Sequence, residues 1–295
     1  MNSIKLNFEN FQWTESISIN NKEISKENIS RLLPYSFTAP VISGESYEYW
    51  MKPVGYEEIN PNALSLGELP GQLEARENCF FCPETALKIA VYKKGNELVI
   101  VFGALNAFKT EIPQEQHSYK TWTLLKAGSY NLFWGPPLIF KRAHQLVQLI
   151  QNAPQFKDDQ LVMVGQSFGG GLAAYTALKI SNCRGICFNA LPLGAWIYEE
   201  VEECKTLAYS KIIQVTVNTD WLSDNFFMRY RNFLDGYMPS LPGKRIFVPT
   251  AYPNNSIETH DYICGSFLNY LGYEVSAQPE DVLLDQQRKS VDAYI

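Results

Sequence analysis

The chain has 295 residues, enough for one large α/β domain or two smaller ones, and at 46% hydrophobic and 14% aromatic it can bury a substantial core. A net charge of −6 with no basic cluster argues against nucleic acid, because phosphate binding needs a concentrated basic face. The N-terminus, Met1 to Phe8, has no uninterrupted apolar core and no run approaches membrane-spanning length, so the expectation is a cytoplasmic protein or one exported by a signal-independent route.

Residues 1–35 alternate apolar and polar in places (Ile4, Leu6, Phe8, then Ile17 and Ile19), which predicts one or two peripheral strands. Residues 36–78 are rich in proline and glycine and read as irregular covering structure with short helices. Cys79-Phe80-Phe81-Cys82 has the Cys-x-x-Cys spacing, but no second pair stands at metal-site distance. All six cysteines are expected as buried, reduced thiols. Thr85–Ala90 and Leu98–Phe102 flank Lys93-Lys94-Gly95-Asn96, a hairpin signal, and the second of these strands is apolar enough to lie centrally in a sheet.

Residues 106–137 mix polar and aromatic positions, which fits either a flap over an apolar cleft or a surface loop anchored by rings. Pro136-Pro137 then introduces a helix over Leu138–Gln151, apolar at Ile139, Ala143, Leu146, Val147 and Ile150, with His144 as a helix-face residue. Leu161–Val164 is a short buried strand and Leu172–Ile180 a helix. Between them lies Gly165-Gln166-Ser167-Phe168-Gly169. A serine hydroxyl needs a base beside it and a sharp turn beneath it to act as a nucleophile, and flanking glycines leave room for such a strand-to-helix turn. Ser167 is the candidate nucleophile.

Downstream, Gly185–Ala190 and Lys211–Val217 read as strands, the latter ending in Asn218-Thr219-Asp220. An acid just past the carboxyl end of a parallel strand shares the rim with the turn, so Asp220 is the candidate acid, with Asp224 as runner-up. A helix over Trp221–Leu234 and a last strand, Arg245–Val248, follow. His260, in a loop over Ser256–Asp261, is the one histidine C-terminal to Ser167 and hence the candidate base. One oxyanion-stabilising N–H belongs to the residue after the nucleophile, Phe168, and another to the loop after Phe102.

Leu87–Leu105, Gly165-Gln166-Ser167-Phe168-Gly169-Gly170, Phe188-Asn189-Ala190-Leu191-Pro192 and Val217-Asn218-Thr219-Asp220 together resemble the class 3 (fungal-lipase-like) α/β-hydrolases, especially their bacterial relatives of unassigned function. The family's turn usually reads Gly-His-Ser-Leu-Gly-Gly; here Gln166 and Phe168 replace side chains that do no chemistry. Its oxyanion strand usually ends Phe-Arg-Gly-Thr or Phe-Arg-Gly-Ser; here it reads Phe102-Gly103-Ala104-Leu105, and Leu105 is the matching position. The resemblance implies Ser167, Asp220 and His260 as nucleophile, acid and base, ester hydrolysis on acylglycerols or phospholipids, and a lid near residues 106–118.

The expected fold is a single α/β-hydrolase domain with a mostly parallel central sheet flanked by helices and extra N-terminal strands. Within it, residues 1–84 form a covering segment, 85–271 the core and 272–295 a tail. No metal or organic cofactor is expected. The expected partner is a lipid or acyl-ester substrate, with transient contact to a membrane surface left open. Two alternatives also stay open: acyl transfer or thioester cleavage on the same three residues, and a catalytically silent hydrolase fold used for binding.

Overall fold

A computed structural model of the chain describes residues 26–36, 38, 41–43, 46–49, 53, 55–103, 112–226, 241–252, 256–261 and 263–272. Helix α1 (Lys26–Ser36) is followed by a small hairpin, β1 (Val41–Ser43) and β2 (Ser46–Tyr49), and by short strands β3 (Glu57–Glu58), β4 (Glu74–Ala75) and β5 (Phe80–Cys82). The long hairpin β6 (Leu87–Lys94) and β7 (Glu97–Phe102) precedes α2 (His117–Phe133) and α3 (Leu138–Asn152). Strand β8 (Gln160–Gln166) runs directly into α4 (Ser167–Lys179), and β9 (Cys183–Phe188) leads to α5 (Ile197–Glu200) and α6 (Cys204–Lys211). Strand β10 (Ile212–Val217) ends in a π-helical turn, Trp221–Phe226, and β11 (Lys244–Val248) is followed by α7 (Ser256–Asp261) and α8 (Ile263–Leu271).

Strands β3 to β11 form one nine-stranded sheet, ordered β11-β10-β9-β8-β7-β6-β5-β4 with β3 also on β6. The pairs from β7 through β11 are parallel, while those joining β3, β4, β5, β6 and β7 are antiparallel. The sheet is therefore parallel where the candidate residues sit and antiparallel along its N-terminal extension. Both faces are covered, so the central strands are apolar at every position rather than at alternate ones. Leu98, Ile100 and Phe102 of β7 pack with α3 and α4 residues such as Phe140, Leu146 and Leu172, while Val99 and Val101 pack with Leu32 and Leu33 of α1 and Phe267 of α8. A mixed sheet layered between helices, with a serine at a strand-to-helix turn on its carboxyl rim, is the α/β-hydrolase architecture that the sequence predicts.

Several local expectations need correction. The described part of residues 1–35 is helical: Leu32, Leu33 and Ser36 are buried at helical spacing in α1, which packs on α8. Ile4, Leu6, Phe8, Ile17 and Ile19 lie outside the described residues. The extra strands occur instead over residues 41–82. Most of the expected flap or loop is helix α2, whose inward stripe is Lys120, Leu124, Gly128 and Asn131 and whose aromatic rings face outward. A buried stripe with one large apolar residue leaves no hydrophobic period to read. Of the expected lid, residues 106–111 lie outside the described residues, and Gln114–Gln116 form a 3-10 turn leading into α2. Of the expected helix over Trp221–Leu234, the part from residue 227 onward also lies outside them.

The turn between β8 and α4 is set by close approach. A Cβ at Gly169 would overlap the carbonyl oxygen of Phe102, and one at Gly165 would overlap the carbonyl of Gly169. Gly170 and Gly171 lie close against Ala190 and Leu191, with a Cβ there 2.6 and 2.9 Å from its nearest atom. Beneath the helix, Phe168, Phe140, Tyr175 and Trp196 form a chain of edge-on rings at 5.9, 5.5 and 5.7 Å, each contact worth about 0.5–1.5 kcal/mol beyond its burial. Gly169→Ala is therefore expected to lower the urea-unfolding free energy by roughly 1–3 kcal/mol or more, since backbone rather than a side chain must yield. Gly128→Ala in α2, whose Cβ would meet only side chains at 3.6 Å or beyond, is expected to be neutral or mildly stabilising. Equal effects at the two sites contradict this packing.

Candidate active site

Three neighbouring parallel strands end in residues with left-handed backbone. Ser167 (φ 54°) follows β8, Asn189 (φ 41°) follows β9, and Thr219 (φ 70°) stands two residues beyond β10. Non-glycine residues in this region cost on the order of 1–3 kcal/mol each and cluster where a fold must aim a group. At Ser167 the bend turns an extended strand into the first residue of α4, and the Ser167 carbonyl accepts the N–H of Leu191 at 2.7 Å.

The three candidate residues, distant in sequence, meet here. Ser167 Oγ lies 2.8 Å from His260 Nε2, and His260 Nδ1 lies 2.6 Å from Asp220 Oδ1. Asp220 is fully buried, and its other oxygen, Oδ2, accepts the Ser223 N–H at 2.7 Å and the Ser223 hydroxyl at 2.6 Å. With Asp220 as acceptor, Nδ1 carries the imidazole proton and Nε2 is left to accept from the serine hydroxyl. Asp220 thus holds His260 through one oxygen and caps the turn that begins at Trp221 through the other. Asp224, the alternative acid, belongs to that same turn. The Trp221 ring sits 5.2 Å from the imidazole, and Trp221 is 49% exposed while His260 is buried.

His260 lies on helix α7, where the sequence suggests a loop. That six-residue helix is too short to persist without external ties. Thr259 supplies one set: its hydroxyl donates to the Tyr252 carbonyl at 2.8 Å and lies 3.0 Å from the Thr250 hydroxyl. Two further partners, Gln166 and Asn189, are not singled out by the sequence. The side-chain N–H groups of Gln166 reach the His260 carbonyl at 2.8 Å, and those of Asn189 reach the same carbonyl at 3.0 Å. Their one sequence signal is position, a polar residue at the carboxyl end of an apolar strand.

Phe168 is the second residue of α4, so its backbone N–H falls in the first helical turn, where no intrahelical acceptor exists. Leu105, the other oxyanion candidate, lies outside the described residues, which resume at Ile112. His144 is on α3 as expected, edge-on to Tyr175 at 6.3 Å, with its pKa lowered by burial and by Lys179. The six cysteines are buried and none is in a disulfide, and burial pushes the Cys183 thiol up to about 12. Among the described residues no three metal-ligating side chains gather, and no helix is long and apolar enough to cross a membrane.

Asp261, next to His260, is a second buried carboxyl at the site. Burial raises its carboxyl above the ordinary 3.8, against the pull of the His260 imidazole and of the hydrogen bond from Gln166. An acid whose folded pKa exceeds its unfolded pKa favours the fold in full only below the unfolded value. That contribution is lost as pH rises through the folded value. Asp261→Asn removes the titration and keeps an oxygen for Gln166. Measured by urea unfolding from about pH 3 to pH 7, the variant's stability relative to the wild type is expected to grow as pH rises and then level off. A difference that is flat or declines with pH contradicts the assignment.

No protein-family model matches this chain, and no curated protein matches it. Among solved structures, it is similar to a triacylglycerol lipase from Penicillium expansum at 9% identity, with a TM-score of 0.41 over 77% of this chain and 82% of the lipase. It is similar to the Rhizomucor miehei lipase in complex with its propeptide at 13% identity and a TM-score of 0.41, over 85% of this chain and 80% of that one. The dienelactone hydrolase from Anabaena variabilis aligns at 10% identity and a TM-score of 0.36, over 68% of this chain and 99% of the hydrolase.

Proposed function

We propose that this chain is a serine-dependent carboxylic ester hydrolase acting on lipid esters, a lipase or phospholipase of the class 3 kind. The observation that carries the reading is the hydrogen-bonded series Ser167–His260–Asp220 at a strained strand-to-helix turn. In the proposed reaction, His260 Nε2 takes the hydroxyl proton as Ser167 Oγ attacks the ester carbonyl. Asp220 holds the imidazole in its Nδ1–H form and balances the charge that the ring gains. The N–H groups of Phe168 and of Leu105 stabilise the oxyanion, an arrangement worth roughly 3–4 kcal/mol per donor. His260 then returns its proton to the leaving alcohol, and water releases the acyl group by the same steps in reverse.

A lipid substrate is supported by helix α2. Tyr119, Phe133 and Trp134 are 68%, 69% and 68% exposed. A groove of about 280 Å³ on this helix is lined by Trp122, Leu125, Lys126, Ser129, Tyr130 and Trp134, and none of the three site residues contributes to it. From Gln116 to Lys157 the sequence contains five Lys or Arg and no Asp or Glu, in a protein of net charge −6. Aromatic rings with basic residues and no acids suit a transient contact with an anionic lipid surface.

The test is a chain-length series of esters and phospholipids, offered dissolved and in anionic vesicles, with wild type and Ser167→Ala. The substitution is expected to lower kcat by about 10⁴-fold or more while leaving the unfolding curve intact. A drop below about tenfold points to a different nucleophile. Trp122→Ala combined with Phe133→Ala is expected to slow turnover in vesicles and to spare a dissolved short-chain ester; equal loss on both contradicts the surface contact. Added glycerol or thiol acceptors separate hydrolysis from acyl transfer by their products.

A further inference from the structure

Ser167 and Asp220 are placed by the strands that precede them, but His260 is not. It sits on a short helix, 93 positions from Ser167 and 40 from Asp220, and no β-ladder holds it. The last carbonyls of such a helix have no intrahelical donor. Here the Thr259 and His260 carbonyls receive donors from the carboxyl rim of the sheet. Gln166 Nε2 donates to the His260 carbonyl at 2.8 Å and approaches Asp261 Oδ1 at 3.4 Å. Asn189 Nδ2 donates to the Thr259 carbonyl at 3.1 Å and to the His260 carbonyl at 3.0 Å. The Asn189 side-chain oxygen in turn accepts the N–H of Val217, the last residue of β10, at 2.8 Å. Gln166 and Asn189 are 1% and 0% exposed. Among the described residues, each partner of the Gln166 and Asn189 amide nitrogens is an acceptor, so the orientation of both side chains follows from the bonds themselves.

We infer that Gln166 and Asn189 are a pair of positioning residues that set the imidazole of His260 against Ser167 and Asp220. Gln166 is covalently next to the nucleophile, and Asn189 is bonded to the strand that carries the acid. One carbonyl, that of His260, thus receives a donor from each side. A displacement of the short helix is felt at once in both imidazole contacts. The replacement of the family's histidine by Gln166 is not chemically silent on this reading. The inference rests on the proposed function for its effect on rate, but the positioning itself can be read without turnover.

The test uses the full chain labelled with ¹⁵N-histidine, whose long-range ring spectra report which nitrogen of His260 carries the proton, alongside steady-state ester kinetics. Wild type is expected to hold the Nδ1–H form alone. Gln166→Met, which keeps the length and loses the donor, is expected to average the two ring nitrogens. It is also expected to lower kcat about 10- to 100-fold with KM changed by less than about threefold. Gln166→Leu, which is close in size and has no donor, is expected to do the same, and it decides the matter should Gln166→Met not unfold cooperatively. Cooperatively folded variants that retain the wild-type ring spectrum overturn the inference. So does failure of both to fold, since the role is then one of core structure. A wild type that cleaves no ester refutes the hydrolase reading alone, and the ring spectra still decide the positioning.

Discussion

The interaction on which the site depends is the hydrogen bond between a buried carboxylate, Asp220, and an imidazole borne on a helix of six residues. Taking a carboxylate out of water is costly unless donors surround it, and Asp220 is surrounded: Ser223 serves one oxygen through its N–H and hydroxyl, and His260 serves the other. The arrangement binds Ser167 too, because Nδ1 committed to Asp220 leaves Nε2 with a free lone pair toward the serine hydroxyl. Loss of the Asp220 contact therefore changes what His260 can do at its far nitrogen, even with the ring in place.

The sheet makes this economical. Strands β8, β9 and β10 are parallel neighbours, so their carboxyl ends reach one rim in register. At each end the chain takes a left-handed residue and turns its next polar group over the rim: the hydroxyl of Ser167, the amide of Asn189 and, one residue past Thr219, the carboxylate of Asp220. Rigid packing below supports the strain. Gly165 and Gly169 let backbone meet backbone, and the rings of Phe168, Phe140, Tyr175 and Trp196 tie α4 to its neighbours. Helix α2 joins through Asn131, which donates to the Pro192 carbonyl at 2.8 Å and whose own carbonyl accepts the Trp196 indole N–H at 2.5 Å.

What was legible in the sequence follows the same physics. Continuous apolar strands buried on both faces, such as Leu98–Phe102 and Leu161–Val164, stand out because every position is apolar. The helix over Leu138–Asn152 stands out because its buried residues recur with helical spacing. Ser167, Asp220 and His260 were recognisable as candidates by chain order and by their places after strands, and the structure brings the three together. Helix α2 was not legible, since it buries Lys120, Gly128 and Asn131 and exposes its rings. Helix α1 was hidden among polar residues and carries Pro34. The parts played by Gln166 and Asn189 depend on a carbonyl far along the chain, and no local pattern encodes such a contact.

On the proposed function, one hydroxyl among the chain's serines, that of Ser167, is made nucleophilic by the imidazole beside it. Fluorophosphonate labelling of the folded protein at neutral pH, with the adduct located by peptide mass mapping, tests it most directly. A single adduct is expected, on Ser167, and it disappears in His260→Ala. An unlabelled protein, or an adduct on another serine with Ser167 untouched, would contradict it.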